Sequence, residues 1–192
     1  MVILYIYKYN TFSVPLCYMK DRKLTNMELG RIKVSEYAML PPSGIVLVLD
    51  NIRSAHNVGS AFRTSDAFKI DRIFLCGICA CPPSAEIHKS ALGAEESVPW
   101  EHADDTLELV GRLREAGYTI VSVEQTENAL QLQDFAPEQG KRYALIFGNE
   151  VDGVQQSVVD ASDLSLEIPQ FGTKHSLNVS VSVGVVLWQM RR

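Results

Sequence analysis

Ile45-Val46-Leu47-Val48-Leu49, closed by Asp50, is the stretch from which the fold is read. The run is apolar throughout and rich in β-branched residues. It does not alternate, so an extended chain here would need apolar neighbours on both faces. That requirement suits a central strand of a parallel sheet. Working outward, Arg72–Cys76, Thr119–Val123, Tyr143–Phe147 and Leu164–Ile168 read as further strands. Helical patterns lie between them. After a loop, Asn51–Asn57, residues Val58, Ala61, Phe62 and Ser65 share one helix face. Ile87–Leu92 makes a short helix, and Ser97–Trp100 a short strand or edge. Asp105-Thr106-Leu107-Glu108 has capping-box spacing, with Asp in the first position. Its stripe is Leu107, Val110 and Leu113, and Gly117 is a natural stop. Gln131–Gly140 is a polar connection and Gln155–Ala161 a helix. Strands alternating with helices predict an α/β fold, a mostly parallel sheet with helices on both faces.

The chain has 192 residues, enough for one domain with a short appendage. Lys and Arg number 18 against 23 Asp and Glu, a formal net charge of -5. Nucleic-acid binding would therefore need a local basic patch, since bulk charge does not supply it. Pro41-Pro42-Ser43-Gly44 is a breaker cluster, so the main domain is expected to span 45–192, with 1–44 as an N-terminal arm. Within that arm, Lys20 to Lys33 is charged and has enough Leu and Ile for a short helix. Such a segment reads equally as a hold on RNA phosphates or as a solvated face. The apolar run Met1–Tyr9 lacks a basic leader and a small-residue cleavage site, and is too short to span a bilayer. The abrupt change of composition at Lys20 motivates a second expectation, a translation start at Met19 or Met27.

Cys76, Cys79 and Cys81 form C-x-x-C-x-C, with His88 the nearest fourth ligand. No second Cys pair follows, and Cys76 ends an apolar run, so these residues read as small hydrophobes and no metal is expected. Nothing suggests a disulfide framework, which points to a reducing, cytoplasmic setting.

Near the C-terminus two periodicities compete. Val179, Val181, Val183 and Val185 alternate with Ser180, Ser182 and Gly184, which argues for a strand. Val179, Val183 and Leu187, extended by Val186 and Met190, also fall at helical spacing. Pattern alone leans slightly to the strand.

Three blocks carry the candidate chemistry. The first is Asn51–Asp66, containing Asn57 and Arg63. The second is Leu145–Val154, with Phe147-Gly148-Asn149-Glu150 at its centre. The third is Ile168–Trp188, with Gln170, Gly172 and Ser176-Leu177-Asn178. Their order, spacing and content resemble the three motifs of the SpoU (TrmH) family, RNA ribose 2′-O-methyltransferases of the SPOUT superfamily. The resemblance covers the chain from about Ile45 to its end, and it tips the segment after Asn178 to a helix. It implies a C-terminal trefoil knot that binds S-adenosylmethionine, a homodimer, and an active site near the subunit interface.

Carried over residue by residue, the resemblance places the cofactor among Phe147, Gly148, Asn149, Ile168, Gln170, Gly172, Ser176, Leu177 and Asn178. It makes Arg63, Asn57, Glu150, Ser176 and Asn178 the catalytic set. The roles suit the residue types. Methyl transfer needs donor and ribose oxygen held in line, and help for that oxygen in losing its proton. Arg63 is always protonated and a poor base, so it is expected to grip a phosphate or a developing oxyanion. Its plain alternative is a surface Arg paired with Asp66. Asn57 would orient the ribose or cap its helix, and Glu150 would hold a catalytic side chain or complement a helix dipole. Arg53, His56, Lys89 and Lys174 are the expected RNA-facing residues. No G-x-G-x-x-G follows the first strand, which disfavours a dinucleotide enzyme. The remaining competitor is a catalytically inactive RNA-binding or ribosome-assembly factor of the same fold. Whether tRNA or rRNA is the target is not written in these residues.

Overall fold

The computed structural model describes residues 21–25 and 27–192. The chain divides into two units, Met1–Ile32 and Lys33–Arg192. The apolar run at the start and Met19 lie outside the described residues. In the first unit, the helix expected between Lys20 and Lys33 does not form over the described positions. Met27–Gly30 is a turn instead, and Gly30 has φ 57°. The Glu28 carboxylate accepts from Arg22 and from the Thr25 N–H, which closes a local loop around a segment too short to hold a helix by itself.

The second unit opens with α1 (Val34–Tyr37) and is built on a parallel sheet. Its strands are β1 (Ile45–Asp50), β2 (Arg72–Cys76), β3 (Trp100–Ala103), β4 (Tyr118–Val123), β5 (Leu130–Gln131), β6 (Arg142–Phe147) and β7 (Leu164–Glu167). The spatial order is β3-β2-β1-β6-β4-β7-β5, and every pairing is parallel. β1 is buried at every residue, as its unbroken apolar run requires. The pleat sends Ile45, Leu47 and Leu49 to one core and Val46 and Val48 to another. The first core packs α2 (Ala55–Ala67), α3 (Ala85–Ala91) and α7 (Val179–Met190) on one face. The second packs α5 (Thr106–Glu115) and α6 (Gln156–Asp160) on the other. Helices on both faces, expected from the alternation, are thus present.

Entry into β1 is held from two sides. The Tyr37 hydroxyl, buried, donates to the Ile70 carbonyl at 3.0 Å. The Asp71 carboxylate accepts from the Ser43 and Gly44 N–H groups at 2.7 and 2.8 Å.

Several expected boundaries move. Ser54, not Asn57, caps α2, because its side chain accepts from the Asn57 N–H. The helix therefore starts inside the stretch expected to be loop, and Asn57 has no capping role. Asp105 does cap α5, accepting from the Glu108 N–H. The buried stripe of α5 is Leu109, Val110 and Leu113, while Leu107 is exposed. Ser97 ends a short helix, α4 (Ala94–Ser97), so the edge strand begins at Trp100. The connection after Gln131 is not wholly polar surface: Leu130–Gln131 pairs with β7, and Leu132 is buried in a 3₁₀ turn, Leu132–Asp134.

The competition after Asn178 resolves as a helix. Val183, Val186, Leu187 and Met190 are buried at helical spacing, and Val181, Val185 and Trp188 are exposed on the opposite side. The alternation of Val with Ser and Gly is thus incidental: small residues let α7 lie close to its neighbours, as Gly184 does where a Cβ would just touch Thr64.

Candidate active site

Three strands, β6, β4 and β7, lie side by side, and their carboxyl ends open into a cavity of about 540 Å³. That is where open α/β sheets place ligands. Each wall is built locally.

The β6 wall is a tight turn. Asn149 and Gly153 exchange backbone hydrogen bonds at 3.2 and 3.1 Å, and Asn149 Oδ1 accepts from the Val151 and Asp152 N–H groups. The chain doubles back so closely that a Cβ on residue 148 would lie 1.9 Å from the Gly153 carbonyl carbon. Only glycine fits there. Gly153 completes the turn at φ 69°. The turn lifts Glu150 to the rim, where it is exposed.

The second wall is the loop from Ile168 to Asn178. Asn178 caps α7, its Oδ1 accepting from the Ser180 N–H at 2.9 Å and from the Ser180 hydroxyl at 2.6 Å. With that oxygen occupied, the Asn178 amide is left pointing to α2, and its Nδ2 donates to Asn57 Oδ1 at 3.2 Å. Asn57 Nδ2 in turn donates to Glu150 Oε1 at 2.7 Å. One residue from each of the three sequence blocks therefore joins a single relay, Asn178 to Asn57 to Glu150. The relay spans two separate loops and the first turn of α2.

Below it, Asp50 anchors the frame. It is fully buried and accepts four hydrogen bonds from three neutral residues: Thr106 Oγ1 at 2.6 Å, Gln155 N and Nε2 at 3.1 and 2.9 Å, and Asn51 Nδ2 at 2.9 Å. Nothing but its place at the end of an apolar run distinguished this residue in the sequence.

Of the residues expected to hold a cofactor, Phe147, Gly148, Asn149, Ile168, Gln170, Ser176, Leu177 and Asn178 line the cavity, and Gly172 does not. Glu150 lines it as well. Among the lining residues that the sequence did not single out are Glu124 and Gln125, at the end of β4. A polar pair directly after a β-branched strand, at the same sheet edge as the other two loops, was the available signal.

Arg63 stands apart. It lies six residues beyond Asn57, in the third turn of α2, because the helix starts at Ala55. It is exposed and outside the cavity lining. Asp66, its alternative partner, instead accepts from the Ser97 hydroxyl at 2.5 Å. Arg53, His56, Lys89 and Lys174 are likewise exposed and line no part of the cavity.

Cys76 and Cys79 are packed into the core. Cys79 Sγ accepts from the Ile52 N–H at 3.1 Å and faces the Leu49 carbonyl at 3.2 Å, and Cys76 is sealed in β2. Burial pushes both thiols up to about 12.

The cavity suits a particular class of ligand. Glu124, Glu150, Asp152 and Glu167 face it against one histidine, His175. A wall so biased favours a cation.

Comparison with known proteins supplies names for what this chain is similar to. The sequence model of the SpoU rRNA Methylase family matches residues 44–188. The 23S rRNA (guanosine-2'-O-)-methyltransferase RlmB of Neisseria meningitidis serogroup B is 32% identical over 152 residues, covering 79% of this chain and 59% of that protein. The RlmB of Nitrosomonas europaea is 31% identical over 157 residues, covering 80% and 58%. Among solved structures, the AdoMet-bound rRNA methyltransferase from Sinorhizobium meliloti superposes with a TM-score of 0.71 at 25% identity, over 78% of this chain and 59% of that one. The chain thus spans less than two thirds of the length of these relatives.

Proposed function

The chain belongs to the SpoU rRNA Methylase family, and from that premise we propose that it transfers a methyl group from S-adenosylmethionine to a ribose 2′-hydroxyl of tRNA or rRNA. The observation that carries the reading is the Asn178–Asn57–Glu150 relay at the rim of the carboxylate-lined cavity. When bound, S-adenosylmethionine supplies an electrophilic methyl group on a sulfonium.

The residues of this chain do the rest. Phe147–Asn149, Ile168, Gln170 and Ser176–Asn178 hold the cofactor, and the surrounding carboxylates match its positive charges. Gly172, outside the lining, belongs to the same loop without a direct contact. Glu150 fixes the Asn57 amide, and Asn57 with Ser176 orients the ribose at the rim. Arg63, exposed and unpaired among the described residues, grips the RNA phosphate or the developing oxyanion. Arg53, His56, Lys89 and Lys174 extend the contact to RNA.

Three further features belong to the same reading. The chain works as a homodimer: Val181, Val185 and Trp188 form an exposed apolar stripe along α7, with Trp188 64% exposed, and a second copy covers it. The C-terminal segment forms the family's knot, consistent with Gln125 reaching the His175 carbonyl ahead of α7 and Gln189 reaching Phe135 at its end. The setting is cytoplasmic, as the absence of a disulfide framework in the sequence suggested.

The test is transfer of labelled methyl from S-adenosylmethionine to RNA by purified protein, with Arg63→Ala beside it. We expect transfer to fall by about 10²–10³ in the variant, the scale of losing one oxyanion-stabilising group. Cofactor binding without any transfer would replace the enzyme reading with that of an inactive RNA-binding or assembly factor.

A further inference from the structure

The two loops that wall the cavity are tied together twice. On one side runs the relay through Asn57. On the other stands a pair that belongs to none of the three sequence blocks, Glu124-Gln125, directly after β4. The Glu124 carboxylate spans two N–H groups: Oε2 accepts from Val154 at 3.0 Å and Oε1 from Gln125 at 2.8 Å. Gln125 Nε2 donates to the His175 carbonyl at 2.8 Å. The turn is shaped to admit the carboxylate. A Cβ at position 153 would lie 2.2 Å from Glu124 Oε2, so a side chain there would push the carboxylate out of the turn, and the φ of 69° favours glycine besides.

Followed round, these contacts close a circuit. It passes from β4 to Val154, along the turn to Glu150, across to Asn57 and Asn178, back along the loop to His175, and home through Gln125. Both loops are largely exposed between these ties: Glu150, Val151 and Asp152 in the turn, and residues 171–178 in the loop. Exposed segments with few apolar anchors open at small cost. A ligand that must order them loses part of its binding energy to that ordering. One strand end that grips both loops removes the loss.

We propose that Glu124 and Gln125 are positioning residues for the methyl-transfer site, a bracket that holds both cofactor loops to the end of β4 before the cofactor arrives. The proposal rests on the methyltransferase reading above. Gln125 is the cleaner half to test. Gln125→Glu keeps the shape but sets a carboxylate oxygen against the His175 carbonyl, while Gln125→Lys restores a donor. S-adenosylmethionine affinity is measured by calorimetry, RNA KM by methyl transfer, and folding by thermal melting.

Gln125→Glu is expected to weaken the cofactor about tenfold, the equivalent of about 1.4 kcal/mol, with RNA KM and melting temperature unmoved. Amide exchange over 172–178 in the free protein rises with it. Gln125→Lys regains most of the affinity. Wild-type affinity in Gln125→Glu, equal loss in both variants, or a parallel fall of melting temperature and RNA affinity would each overturn the bracket. If the wild-type protein itself takes no S-adenosylmethionine, the methyltransferase reading fails first and the bracket with it. Cofactor binding that is intact in wild type and unchanged in the variants sinks the bracket alone.

Discussion

Two polar networks sit at the carboxyl edge of the sheet, each centred on a carboxylate, and they do opposite jobs. Asp50 lies at the end of β1 with no exposure and takes four hydrogen bonds from neutral partners on the loop after β1, α5 and the start of α6. Glu150 lies at the rim, exposed, and takes a single bond from Asn57. The first network has no access to a ligand and every reason to stay closed, since each orphaned partner would be left in a water-free site. The second can lose a bond to water at little cost, and its partners lead directly to the cavity. Burial, rather than residue type, separates Asp50, which holds the fold, from Glu150, which is proposed to serve the chemistry.

The comparison breaks most severely at Asp50. Asp50→Ala removes the acceptor for Thr106, Gln155 and Asn51 together, and the expected loss is about 3–5 kcal/mol of folding stability, read from urea denaturation. Stability within 1 kcal/mol of wild type, on the ordinary scale of surface substitutions, would show that these donors find water and that the site is not closed. A smaller effect is expected from Thr106→Val, which keeps the shape of a nearly fully buried side chain and deletes its 2.6 Å bond to Asp50. A hydrogen bond to a charged group is worth about 1.5–3 kcal/mol, so the loss should fall in that range. Cofactor affinity should not follow it.

These two networks also mark how far the sequence could be read. The strands β1, β2 and β6 were legible within a residue, because a run buried on both faces is apolar without interruption. The site blocks were legible by resemblance, and the cavity gathers eight of the nine residues expected to hold a cofactor. Asp50 was not legible. Its partners are 56 and 105 positions away in sequence, and a carboxylate ending a strand looks the same whether it is solvated or sealed. β5 was missed for a related reason: two residues pair with β7 only because the chain returns there, and no local pattern records it. The segment after Asn178 showed the reverse problem, a strong local pattern with the wrong period. Its helix is set by the Asn178 cap and by burial of Val183, Val186, Leu187 and Met190 against α2 and its neighbours. The helix that carries Arg63 starts inside the expected loop Asn51–Asn57, because Ser54 is its cap and one serine in a polar loop looks like any other.

The smallest expected effect, and the sharpest, is at Glu150. If the rim network exists to aim Asn57, then what matters is an acceptor for its amide rather than a negative charge. Glu150→Ala removes the acceptor, and methyl transfer is expected to fall about tenfold, or about 1.4 kcal/mol in the barrier, with melting temperature unchanged. Glu150→Gln keeps a carbonyl oxygen where Asn57 Nδ2 now finds Oε1 at 2.7 Å. It should recover most of the lost rate, since the hydrogen bond survives with the charge removed. Should Gln prove as slow as Ala, the charge itself acts, either on the cofactor's cationic end or on the departing proton of the ribose hydroxyl. The two are separable, because removing a charge that serves the cofactor raises its Kd, while removing one that serves the proton lowers kcat and leaves Kd alone. Stability decides nothing in that experiment, and this is the point of contrast with Asp50: at the rim, the fold already holds without the bond.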